Sequence, residues 1–352
     1  MNNNYKFRYN CIHNLFFYEG HINFFMKVIS TKPPQLGHPK VQEIIQNIYN
    51  IDASVLALDS ERDQNFYLKG YDGKEHVLKI SNPQEKIELI QLQTAAMNHI
   101  TTFDSSLNVP VTVKSIDGQI INYFEDYIVR VQSFLMGSFI KDVENPSPQL
   151  LNEFGEFLGK LDIALKEFNY PKLNQDWVWD IRNITFLKKH LGYIKNQTDQ
   201  EIISHFIAIY ESNIYPIEKH LRRQYIHNDC NDHNILLDEK GHISGIIDFG
   251  DMAHTFLASE LAVAITYLIL EEEDPFEKIK TVVYGYQSVL PLREEEIESL
   301  IYLICIRACI TVVTANYRKK LFPENEYITV TEAQAWNFLR NFANKDLGNF
   351  KL

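Results

Sequence analysis

His227, Asp229 and Asn234 fall within one short polar stretch, "YIHNDCNDHNILL", residues 225 to 237. Asp248 follows in "GIIDFGD", fourteen positions after Asn234. Between these points "NILLDE" and "ISGIIDFG" have strand character, joined by a turn at Glu239-Lys240-Gly241. A hairpin brings its outer ends together, so Asn234 and Asp248 should converge while Asp229 shares the loop. An amide oxygen and two carboxylates, with no sulfur, make a hard-oxygen set that suits Mg2+ and leaves room for water and substrate oxygens. Phosphoryl transfer requires such a set. Two groups hold magnesium against the β- and γ-phosphates, and a separate carboxylate takes a hydrogen bond or proton from the attacking hydroxyl. On this reading Asp229 is the catalytic base or orienting group, Asn234 and Asp248 are metal ligands, and His227 braces the loop. The same chemistry needs a lysine on a strand to grip the α- and β-phosphates, and Lys79 in "HVLKIS" is placed for that.

Blander and rival readings compete. An Asn/Asp-rich turn can serve only to cap backbone groups, and a lone strand lysine is usually a solvated one. Asp248 arriving independently at the complementary place argues against the first, and the order strand, helix, catalytic loop against the second. A zinc or iron site from His227, Asp229, Asp232 and His233 leaves Asp248 and Lys79 without a role. Cys230 as a nucleophile activated by His227 is weaker, because neighbouring positions seldom aim at one point.

These residues need two kinds of scaffold. "ASVLALD", "NFYLKG" and "HVLKIS" read as strands, with a hairpin turn at Asp72-Gly73. A helix follows from about Glu85 to His99, and "VPVTVK" and "YIVRVQSFLMG" add further strands. From Ser147 onward, Leu150, Leu151, Phe154, Phe157, Leu158, Leu161 and Leu165 recur at helical spacing, with Pro146 and Pro148 at the entrance. More helices are expected around 181–190, 200–222, 256–271, 275–289, 294–318 and 331–343. The fold class is therefore α+β and bilobal: a small β-rich N-lobe with one main helix at 27–136, and a larger, mostly helical C-lobe at 137–352. Residues 1–26 read as an N-terminal extension without fixed structure, and Met26 as a candidate start.

Composition narrows the partners. The 352-residue chain carries a formal charge of −12 and no Lys/Arg-rich run, which argues against nucleic acid or an anionic membrane. "LASELAVAITYLIL" and "LIYLICIRACITVV" are interrupted by Glu260 and Arg307 and read as buried helices rather than membrane spans. Cys11, Cys230, Cys305 and Cys309 form no C-x-x-C pair, as expected of a cytoplasmic protein. Nothing in the chain sets an oligomeric state.

The pattern H-x-D-x4-N followed by D-x-x-D resembles the aminoglycoside phosphotransferase and choline kinase superfamily, whose fold is protein-kinase-like. Protein kinases carry arginine where this chain has Asn228, which favours small-molecule kinases. "SERDQNFYL", "VLKISNP", "LGKLDIAL", "WVWD", "DFGDMAHTFLASELAVAITY" and "ENEYITVTEAQAW" resemble the hydroxylysine kinase-like branch over roughly residues 40 to 340. The resemblance implies that Asp229 is catalytic, Asn234 and Asp248 bind magnesium and Lys79 binds nucleotide phosphates. It also implies ATP or GTP as donor and a small hydroxylated amine as acceptor. Antibiotic O-phosphorylation and nucleotide binding without transfer are the alternatives. The phosphate-covering stretch, Ser60 to Asn65, contains no glycine, so the Ser60 hydroxyl and the Arg62 guanidinium are its candidate phosphate contacts. Glu85, Glu88 and Gln91 are candidates to pair with Lys79, and Asp251 reads as structural.

Three C-lobe residues are candidates for the acceptor. Arg307, inside an apolar helix, either pairs with a buried acid such as Glu260 or grips an acceptor carboxylate. Trp179 and Asp180 either wall the pocket and hold an ammonium, or serve as a core ring and a helix cap.

Overall fold

The computed structural model describes residues 27–173, 177–323 and 331–350. The 1–26 extension, Cys11 and most of "ENEYITV" lie outside the described residues. The N-lobe is a six-stranded antiparallel sheet of β1 (Ala53–Leu58), β2 (Gln64–Gly70), β3 (Glu75–Ile80), β4 (Thr112–Val113), β5 (Asn122–Phe124) and β6 (Tyr127–Ser133). Its order is β1-β2-β3-β6-β4, with β5 also paired to β6. The β3–β6 register sets Lys79 directly opposite Arg130.

Besides the expected main helix, a helix before the first strand packs on this sheet. α1 (His38–Tyr49) starts on Pro39 and buries Val41, Ile44, Ile45 and Tyr49 at helical spacing. These side chains fill one core with Phe66, Leu78, Ile80 and Val131 from the sheet. α2 (Ile87–Phe103) instead contributes Leu92, Ala96 and Ile100 to the large core of the other lobe. It thus ties the sheet to the helices, and its Gln93 Nε2 reaches the Gly250 carbonyl at 3.4 Å.

After β7 (Ser138–Phe139) the C-lobe is built on α3 (Pro148–Lys166), α4 (Ile184–His190) and α5 (Gln197–Asn213). α6 (Ala258–Ile269), α7 (Phe276–Val289), α8 (Glu294–Leu321) and α9 (Glu332–Phe342) complete it. α3 and α7 pack at backbone contact through Gly155 and Gly285: a Cβ on either would meet main-chain atoms of the other helix at 2.0 and 2.1 Å. α8 is long and apolar enough to cross a membrane, contrary to the expectation from its interrupting arginine. Within the fold, 83% of its apolar window is buried.

α5 stops at Asn213, short of the expected 222, because the chain turns before Pro216 and re-enters as β8 (Arg223–Ile226). β8 pairs with β11 (Ala253–Phe256), a ribbon that sequence periodicity did not reveal. Between them lies the anticipated hairpin, β9 (Ile235–Leu237) with β10 (Ile243–Ile246). The polar loops thus sit at strand ends on a large apolar base, facing the N-lobe sheet.

Candidate active site

Asn234 stands immediately before β9 and Asp248 two residues after β10, so the antiparallel pairing Ile235↔Ile246 makes them neighbours. The ladder continues one step further, with Ile247 N–H donating to the Asn234 carbonyl at 3.0 Å. Asn228 and Asp248 both take left-handed backbone conformations, φ 66° and 62°, which non-glycine residues rarely adopt and which cluster at functional sites.

Within this frame the Asp229 carboxylate is closely held. Its Oδ1 accepts from Arg307 Nη2 at 3.1 Å and Asn231 Nδ2 at 3.0 Å, and its Oδ2 from Asn234 Nδ2 at 2.9 Å. The Asn234 amide also donates to the Asp229 carbonyl at 2.9 Å, leaving Asn234 Oδ1 as the free acceptor. Burial pushes the proton affinity of the Asp229 carboxyl up, helped by the Asp251 charge and opposed by Arg307. A base with raised proton affinity suits an alcohol donor.

Across the cleft, Lys79 Nζ lies 3.3 Å from Asp248 Oδ1. Among the described residues this is the ion pair of Lys79; Glu85, Glu88 and Gln91 make none with it. The Lys79 charge, followed by Arg62, holds the Asp248 carboxyl well below the usual carboxylate range although burial opposes them. The Asp248 side chain is 46% exposed to the cleft, so an ionised oxygen faces the space beside Asn234 Oδ1. That donor set fits a hard divalent cation: one carboxylate, one amide oxygen and no thiolate.

His227 is fully buried and joins the two halves. Its Nε2–H donates to the Ile247 carbonyl at 3.0 Å and its Nδ1 accepts from the Asp229 amide at 3.3 Å. Burial lowers its pKa to about 4, so it stays neutral. Both ring nitrogens of His227 are engaged, and among the described residues its potential ligand atoms gather with Cys230 and Glu260 rather than with Asp229, Asp232 and His233. Glu260 completes the support, accepting from the His227 and Asn228 amides at 2.6 and 3.0 Å.

The remaining candidates sort differently from expectation. Arg307 pairs with neither Glu260 nor open space. Its guanidinium lies 4.8 Å over the Trp179 ring and 5.5 Å from Tyr267, and its Nη1 donates to the Trp179 carbonyl at 3.1 Å. An uncompensated buried charge would cost several kcal/mol; Asp229 supplies the counter-charge. Trp179 does wall the pocket. Asp180 does not face it. Its carboxylate is taken up by Arg182 and by the Thr255 hydroxyl at 2.7 Å, tying the α4 approach to β11, and the cap of α4 is Asn183.

Arg62 is not free to hang over phosphates as a solvated side chain. Nη1 is 2.8 Å from Asp251 Oδ1, and the guanidinium lies 5.1 Å over Trp177, whose Nε1 donates to the same Asp251 oxygen at 3.1 Å. Gly250 leaves the space: a Cβ there would meet Arg62 Nη2 at 2.9 Å. Ser60 lines the pocket edge. Arg130 was missed. It is 3% exposed, lines the pocket beside Lys79 and leaves Nε and Nη1 without partners. A charge within the apolar strand "YIVRV" was the available signal. Together these side chains surround about 250 Å³.

The phosphotransferase enzyme family model matches residues 54–294, spanning the Lys79 strand, the Asp229 loop and Asp248. The chain belongs to that family. It is 31% identical over 342 residues to hydroxylysine kinase of Mus musculus, covering 87% of this chain and 89% of that protein. Hydroxylysine kinase of Danio rerio is 32% identical over 333 residues, covering 88% and 93%. Among solved structures, amicoumacin kinase in complex with AMP-PNP, Ca2+ and Ami superposes with TM-score 0.69 at 13% identity, covering 90% of this chain and 96% of that one. The bilobal α+β kinase-like fold and the phosphotransferase class with a hydroxyl acceptor follow.

Proposed function

We propose that this phosphotransferase moves the γ-phosphoryl group of ATP or GTP, with Mg2+, to the hydroxyl of hydroxylysine or a closely similar hydroxylated amino acid. The observation that carries the reaction class is the convergence of Asp229, Asn234, Asp248 and Lys79 on one pocket. Support for the acceptor comes from the two hydroxylysine kinase relatives, matched over nearly their whole length.

Asn234 and Asp248 are the residues that would hold a divalent cation, which would neutralise charge on the donor phosphates. The protein's own groups do the rest. Lys79, steered by Asp248, grips the phosphates of the nucleotide. Asp229 accepts the proton of the acceptor hydroxyl as the new O–P bond forms and the bond to the bridging oxygen breaks, releasing the nucleoside diphosphate. Arg307, Asn231 and Asn234 fix the orientation of that carboxylate. Arg130, unpaired and buried, offers a second cation on the donor side.

The test is purified protein with Mg2+ and either ATP or GTP, challenged with hydroxylysine, homoserine, choline, ethanolamine and aminoglycosides. Hydroxylysine should give the highest kcat/KM, read by nucleoside diphosphate release. Preference for an aminoglycoside, or nucleotide binding with no transfer to any hydroxylated amine, would replace this reading.

A further inference from the structure

One face of α8 borders the cleft through Arg307, Thr311, Thr314, Ala315 and Arg318, at successive helical turns. This wall contains no acid and two buried arginines, 1% and 3% exposed. Arg307 is committed to Asp229 and the Trp179 carbonyl. Arg318 ion-pairs with Glu61 of the phosphate-covering loop and donates through Nη2 to the Glu61 carbonyl at 3.2 Å, yet its buried Nε has no partner.

Thr314 adds an independent signal. Helical threonines in this chain return their hydroxyls to the carbonyl four residues back: Thr94 to Ile90, Thr266 to Ala262, Thr311 to Arg307. Thr314, 1% exposed, makes no such bond, and its buried hydroxyl is unsatisfied. Thr314 and Arg318 therefore present unsatisfied donors one turn apart, on a cleft wall where Arg307 Nε is also unpaired. Buried donors are rarely left unpaired without a ligand or water to take them.

Building on the acceptor reading above, we propose that Thr314 and Arg318 form the subsite that binds the acceptor's carboxylate. Thr314 lies about 10 Å along the helix axis from Arg307, which marks the Asp229 end of the pocket. That spacing suits an acceptor whose hydroxyl is several carbons from its carboxylate, as in hydroxylysine.

L-lysine and cadaverine, which differ by the carboxylate and both lack the hydroxyl, separate this claim from turnover. Calorimetry on the protein with ADP and Mg2+ should show lysine binding at least about tenfold tighter than cadaverine. Thr314→Val removes only an unsatisfied hydroxyl, so the fold is kept, and Arg318→Gln removes the charge. Each should weaken lysine binding about 10- to 100-fold and cut its preference over cadaverine. Equal affinity for the two ligands, no binding of lysine, or a lysine affinity unmoved by both substitutions overturns the subsite. Absence of phosphoryl transfer to hydroxylysine, measured separately, would instead strike the proposed reaction and leave a lysine preference standing.

Discussion

The loop carrying Asp229 is held from inside its own lobe, whereas the loop carrying Glu61 and Arg62 is held across the cleft. Around Asp229 the contacts are short-range and buried: Glu260 on two backbone amides, and His227 bridging to the strand end before Asp248. The Ser60–Asn65 stretch is fastened by Arg62 to Asp251 and by Glu61 to Arg318, both on the opposite lobe. Breaking the first set exposes unsatisfied groups in the C-lobe core. Releasing the second requires only that the lobes part. The Asp229 carboxylate is thus held within its own lobe, and the Ser60–Asn65 cover by ion pairs across the cleft.

The contrast can be tested from both sides. Asp248→Asn removes the charge of a proposed metal ligand and the partner of Lys79, and should lower kcat about 10²- to 10³-fold with little change in folding, read by steady-state kinetics and thermal melting. Glu260→Ala leaves the His227 and Asn228 amides without acceptors. It should cost about 2–4 kcal/mol in denaturant unfolding, even though Glu260 lies outside the cleft. Arg62→Met unfastens the cover and should lower kcat/KM about tenfold, chiefly through KM, because the catalytic carboxylate is untouched. Arg223→Gln, which removes an exposed pair with Glu218, should stay within about 0.5 kcal/mol of the parent. A Glu260 effect smaller than the Arg223 effect would erase the distinction between the two loops.

The meeting of Asp229, Asn234 and Asp248 was legible because their geometry is local. Asp229 and Asn234 share a loop, and a short hairpin brings Asp248 to them, so spacing alone foretold their meeting. The acceptor side was not legible, because its partners are distant in the chain. Arg307 meets Asp229 from 78 positions away, and no periodicity in "LICIRACITVV" says which acid a buried arginine will choose. Asp180 misled for the same reason: its partners are Arg182, close by, and Thr255, on a strand that polarity alone did not announce. Arg130 became visible only through the β3–β6 register that sets it opposite Lys79. α1 carries its signal openly, Pro39 followed by buried residues at helical spacing, and was overlooked rather than hidden.

The most direct test of the central claim is Asp229→Asn, a near-isosteric change that removes the base, together with one accepted hydrogen bond and the Arg307 counter-charge. With Mg2+ present, its nucleotide affinity by calorimetry should remain within about twofold of the parent, while single-turnover phosphoryl transfer to hydroxylysine falls about 10³-fold. Transfer at the parental rate would contradict the role assigned to Asp229 and, with it, the account of this cleft.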